Sequence, residues 1–172
     1  ALSGNVSTVV QGQSLQSALN GGGAGGIVEI GDSGRYPETP AIAVDAAAKV
    51  ELRAANEHRP TVVLSGDLNI DLNPGAELTI NGLLLAGGTL RVRATAGTEP
   101  RFLRLRHCTL VPGLALTRAG DPTAPDEPSL IVEQANITVE IDSCITGALR
   151  TERGVTVKIT NSIVDATAFD RV

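Results

Sequence analysis

The sequence predicts an all-β chain, a parallel β-helix (solenoid) of about six stacked coils with one short capping helix at its N-terminal end. Three observations predict it. One phrase recurs: Leu103–Val111 (LRLRHCTLV), Val139–Gly147 (VEIDSCITG) and Val157–Asp165 (VKITNSIVD) each place two apolar residues around a polar one, then a polar pair, then a small side chain, Cys108, Cys144 or Ser162. Its apolar-polar-apolar core also stands upstream in Leu78–Ala86 (LTINGLLLA), Val50–Ala54 (VELRA) and Val28–Asp32 (VEIGD). The six starts lie 22, 28, 25, 36 and 18 residues apart, as in coils whose loops differ in length while their strands stay stacked. Finally, 42% of residues are hydrophobic but only 2% aromatic, so Val, Ile, Leu and Ala must fill the interior, and 19 Gly and 9 Pro without a short period imply many turns.

Taken in order, the Val- and Thr-rich stretch Val6–Gln11 reads as a strand. Ser14 is a helix N-cap, Leu15, Ala18 and Leu19 fall on one helical face, and Asn20 with Gly21 ends a helix over Ser14–Asn20. The glycines of Gly21–Gly26 precede a strand rather than a helix N-terminus, so they read as a turn and not as a phosphate cradle. Ala41–Val44, Thr61–Leu64, Leu68–Leu72, Thr89–Arg93, Leu114–Thr117 and Leu130–Glu133 supply the other strands, in two or three parallel sheets. The proline-rich, acidic segment Gly120–Pro128 must leave the stack, because Pro cannot donate to a ladder, and this accounts for the 36-residue interval. The expected organisation is one domain over 1–172, with strand and cap in 1–26, coils in 27–172 and a projecting loop at 120–128. A chain of this length buries about 70% of its unfolded surface, enough for one core.

The stretch SLQSALNGGGAGGIVEIGDSGRYPETPAIAV, followed by KVELRAA, resembles the entry of right-handed parallel β-helices of the pectin-lyase-like superfamily. There a short amphipathic helix, a glycine turn and a V-x-I strand lead to a G-x-Y-x-E segment, matched by Gly34, Tyr36 and Glu38 with Pro37 in the variable place. That entry is shared by lyases, hydrolases, esterases and non-catalytic fibres. GRYPETPAIAV, ELRAANEHRPTVVL, NGLLLAGG and LRLRHCTLVPG are similar to the β-helical portion of bacterial proteins associated with phage-tail-like particles, which implies a structural or attachment role in the bacterial cytoplasm or on such a particle.

Net charge is −5, and no dense Lys/Arg cluster offers a footprint for phosphates, which argues against nucleic acid. No apolar run approaches about 18 residues and no basic-then-apolar leader is present, so neither a membrane span nor a signal peptide is expected. The chain begins at Ala1 and stops just after a repeat, which suggests an excised or engineered piece. Cys108 and Cys144 occupy one position of two repeats, about 4.8 Å apart if coils stack, farther than the Cβ spacing of a disulfide. They read as buried thiols; no CxxC pair or second adjacent His supports a metal site, and no cofactor is expected.

In-phase stacking puts two columns on the outer face: Glu29, Glu51, Thr79, Arg104, Glu140, Lys158, and two residues on, Gly31, Arg53, Asn81, Arg106, Asp142, Thr160. Acid, base and cation converge at Glu140, Asp142, Arg106 and His107, which is the candidate catalytic set of a carbohydrate-active enzyme (lyase or hydrolase), two carboxylates about 5 to 9.5 Å apart across a sugar bond. Alternating cations and the absence of Trp favour an ion-pair ladder instead. His107 reads as a turn residue bonded to the next coil and His58 as a loop residue without a partner. Ser33, in GDSG, suits a strand-ending turn as well as a nucleophile. The expectation is therefore a non-catalytic structural or interaction module, a homo-oligomer formed through exposed coil ends or exchange of the Val6–Gln11 strand; a further protein partner is a second expectation.

Overall fold

Alternating apolar and polar residues with β-branched side chains favour strands that bury one face, and each phrase forms a strand with the corner after it. The structure, a computed structural model, describes residues 5–111, 118, 124 and 126–165. The chain enters through β1 (Val6–Val9) and helix α1 (Leu15–Gly22). The first coil is β2 (Gly26–Ile30), β3 (Arg35–Tyr36) and β4 (Ile42–Val44), and the second β5 (Lys49–Ala54), β6 (Thr61–Val63) and β7 (Leu68–Leu72). The third is β8 (Glu77–Asn81), β9 (Leu84–Ala86) and β10 (Leu90–Arg93); the fourth β11 (Arg101–Arg106), β12 (Thr109–Val111) and β13 (Leu130–Val132). β14 (Ile137–Asp142), β15 (Ile145–Thr146) and β16 (Leu149–Thr151) make the fifth, and β17 (Val155–Thr160) and β18 (Ile163–Val164) the described part of a sixth.

Every ladder is parallel, and the strands collect into three sheets. Sheet A runs β1-β2-β5-β8-β11-β14-β17, sheet B β3-β6-β9-β12-β15-β18, and sheet C β4-β7-β10-β13-β16. This is a right-handed parallel β-helix, all-β but for one short helix.

Register explains the repeats. Val50, Leu78, Leu103, Val139 and Val157 are successive partners in one inward file. The first four are buried, but Val157 is 37% exposed, because among the described residues β17 has a neighbour on one side only. The file is therefore in register throughout but not dry at its last member. The first coil also departs from the expected phase: Gly26 pairs with Val50 and Glu29 with Arg53, so Glu29 belongs to the second column, Ile27 stands beside Glu51, and Gly31 lies past the strand. On its other edge β2 pairs with β1 from Ile27 to Ile30.

The corner between sheets A and B accounts for the polar pair and small residue of the phrase. Gly82, His107, Ser143 and Asn161 all adopt the left-handed conformation, with φ of 77°, 50°, 56° and 49°, tolerated best by Gly and short polar residues. The amides of Gly82, His107 and Ser143 donate to Arg106, Asp142 and Thr160 O on the next coil at 2.9, 3.1 and 3.1 Å, so the ladder continues round the bend. The next side chain turns inward as an acceptor: Cys108 N donates to Cys144 Sγ (3.4 Å), and Cys144 N to Ser162 Oγ (3.0 Å). Both cysteines are free and buried. The neighbouring Cys144 sulfur first, then burial, pushes the Cys108 thiol well above its ordinary range, and Cys108 Sγ donates to Arg106 O at 3.1 Å and Ile80 O at 3.5 Å.

Helix α1 closes the first coil with Leu15 and Leu19 buried and Ala18 partly so. Ser14 Oγ accepts from Ser17 N at 3.2 Å, and the carboxylate of Glu38, a residue quoted for the β-helix entry, accepts from Leu15 N and Gln16 N, each at 2.9 Å. A negative charge on those amides opposes the positive end of the helix dipole. The helix does not stop at Asn20. It continues through Gly22, and a Cβ on Gly23 would come within 3.1 Å of Ala43 O, so the glycines serve close approach to the coil as well as turning. Strands β3 and β16 fall outside the expected strands. The expected strand Leu114–Thr117 and most of the expected loop Gly120–Pro128 lie outside the described residues.

Candidate functional site

The candidate set sits where β11 and β14 lie side by side on sheet A. Arg104 pairs with Glu140 and Arg106 with Asp142 across the ladder, leaving all four side chains on the outer face and His107 at the corner. Glu140 and Asp142 are two residues apart on one strand, about 6.6 Å along it.

Their electrostatics are those of a ladder. Arg104 Nε lies 3.1 Å from Glu140 Oε2 and its Nη1 2.7 Å from Glu77 Oε2, while Lys158 Nζ is 3.7 Å from Glu140 Oε1. Glu77 also meets Lys49 at 2.7 Å, and Arg104 covers the Phe102 ring at 5.2 Å. Asp142 accepts from Thr160 Oγ1 (2.9 Å), Asn161 Nδ2 (3.2 Å) and Ser143 Oγ (3.4 Å), and the Thr160 hydroxyl above all, then Asn161, holds it below the usual carboxylate range. A general acid needs the opposite, a raised pKa in a dry setting. Arg106 makes no ion pair among the described residues, and no group of three His, Cys, Asp or Glu side chains there is placed to hold a metal.

The structure brings together a second group that spacing does not reveal. Four residues, 31–34, turn the first coil from sheet A to sheet B; the second coil uses six, 55–60, and this longer loop walls a cleft of about 450 Å³. Its floor is formed by Asn81, Gly82, His107 and Ser143 from the next three coils. His58 stands on the wall and does have a partner: its Nδ1 lies 3.3 Å from Ser33 Oγ, which accepts from Arg59 N at 3.1 Å. His58 and His107, the only two histidines in the sequence, therefore line one cleft although 49 positions separate them. Ser33 is not part of a nucleophilic triad. The carboxylate beside it, Asp32, accepts from Gln11 N, Tyr36 Oη and Gly34 N rather than from His58, and serves the turn. These bonds lower the Asp32 pKa, the Gln11 amide most, while burial foremost pushes the Tyr36 hydroxyl up.

The fold and this surface define a parallel β-helix with an ion-paired outer sheet and a polar corner cleft. Compared with family models, curated proteins and solved structures, the chain matches none. No helix among the described residues is long and apolar enough to cross a membrane.

Proposed function

We propose that the chain is a non-catalytic structural and interaction module that self-associates through the sixth-coil end of its β-helix. One observation carries this reading: among the described residues β16, β17 and β18 each have a strand neighbour on one side only, and Val157, Ile159, Ile163 and Val164 are exposed on that end. Unpaired strand edges beside apolar side chains are templates for another chain. The opposite end is closed by α1. β1, three of whose four residues are exposed, offers strand exchange as a second route. The likeness to the pectin-lyase-like entry and to β-helical parts of phage-tail-like particles gives the reading its setting, an attachment or assembly element.

Light scattering after size separation, over a range of micromolar concentrations, tests it. A concentration-dependent oligomer that Ile159→Lys converts to monomer with an unchanged circular dichroism spectrum is the expected result; monomer at every concentration would overturn the reading. The competing reading, a carbohydrate-active enzyme using Glu140, Asp142, Arg106 and His107, requires new reducing ends or unsaturated products from a polysaccharide, abolished by Asp142→Asn.

A further inference from the structure

The corner cleft is unused by the self-association reading, and its composition points to a ligand class. The wall is a built feature rather than slack chain. Ala55 N donates to Ile30 O (2.9 Å), His58 N to Ala55 O (3.1 Å), Arg59 N to Ser33 Oγ (3.1 Å) and Arg59 Nη1 to His58 O (3.0 Å). Glu57 holds the left-handed conformation, φ 67°, uncommon for a non-glycine residue. A loop fixed to the first coil thus presents side chains over a floor supplied by later ones.

What it presents is mostly donors. Nδ1 of His58 is engaged by Ser33, which leaves Nε2 as the nitrogen available to a ligand. Arg59 spends one guanidinium nitrogen on His58 O and keeps the rest of its fork. The floor adds the Asn81 amide and the His107 ring, and Arg106, Asn81's register partner, is a neighbouring cation without an ion pair among the described residues. Three carboxylates lie near: Glu57 on the wall, Asp32 near His58, already accepting three hydrogen bonds, and Asp142 near His107, committed to Thr160, Asn161 and Ser143. No Phe, Tyr or Trp ring lines the cleft, so a sugar face lacks the large stacking platform it favours, whereas forked and ring N–H donors suit a tetrahedral oxyanion. We infer that this cleft binds the phosphate group of a small molecule, with His58, Arg59 and His107 as its principal donors. The volume leaves room for more than a free ion.

Having only two histidines makes the test direct, because proton–carbon spectra of the imidazole rings contain one signal set from each. The protein is titrated at fixed pH with inorganic phosphate, glucose 6-phosphate and glucose. Saturable shifts of both rings with glucose 6-phosphate, none with glucose, and affinity weakened about tenfold or more by Arg59→Gln but less by Arg59→Lys are expected. Arg150→Gln, on sheet C, leaves binding unchanged. Inorganic phosphate binding as tightly as the ester identifies the free ion as the ligand; tighter ester binding identifies a phosphorylated metabolite. Rings that do not move, or that move without saturation and equally in folded Arg59→Gln, would overturn the assignment.

Discussion

Arg101 shows how little a residue's type can say about its place. It precedes the fourth phrase and carries a cationic side chain, yet it is fully buried, on the inward side with Leu103 and Leu105. Its Nε donates to Leu72 O at 2.8 Å, Nη1 to Glu99 O at 2.8 Å, and Nη2 to Ala96 O and Gly97 O at 2.6 and 3.2 Å. A guanidinium has five donors and no acceptors, so carbonyls of an irregular corner can satisfy it without a carboxylate. Arg101 is thus the post around which the 94–100 corner is tied. Arg101→Met preserves much of the volume but leaves those carbonyls without donors; a loss of about 3 kcal/mol is expected, read as a lower urea midpoint with little change in slope. The small residue of the phrase is also explained at this scale. Its smallness was legible, but its role as acceptor for the preceding coil's amide depends on the neighbour above, which no single repeat contains.

Among elements, sheet A is where sequence reasoning and structure agree most closely and where the phase error arose. From the second coil onward the column Glu51, Thr79, Arg104, Glu140, Lys158 forms as the repeats imply. Ladder partners do not always pair, however: Arg104 reaches diagonally to Glu77 as well as across to Glu140. Such pairs are worth about 0 to 1 kcal/mol each at a surface. Their pH dependence is nevertheless measurable. Glu77 titrates below its ordinary value of 4.5, first because Lys49 hydrogen-bonds it and then because Arg104 does. Its ionised form therefore favours the folded state, a contribution fully present above pH 4.5 and lost as pH falls through the lowered value. Urea midpoints between about pH 7 and pH 3 should fall more steeply in the native chain than in Glu77→Gln, which has no carboxyl to protonate.

Across the whole molecule, each coil contacts only its neighbours, so stability is close to a sum of coil and interface contributions. Middle coils have two interfaces, whereas the sixth has one among the described residues and exposes Val157 and Ile159, inward-facing in register. Amide exchange should accordingly be slowest in β5, β8 and β11 and fastest in β17 and β18, with α1 protecting β2. Uniform protection along the solenoid at low protein concentration would contradict this gradient. If the sixth-coil end associates as proposed, raising the concentration should slow exchange in β17 while leaving β8 unchanged, which ties the local measurement to the oligomeric one.

The sequence by itself determined the architecture. A solenoid repeats the same local solution, so alternation in each phrase specifies a strand, its polar pair a turn, and recurrence the stacking. It also marked Ser14 as a helix cap, because capping is local chemistry. Tertiary structure alone decided the phase of the first coil, the burial of Arg101, the reach of Glu38 to α1 and the meeting of His58 with His107. Each of these depends on which residue lies one coil away, a separation set by loop lengths that follow no period.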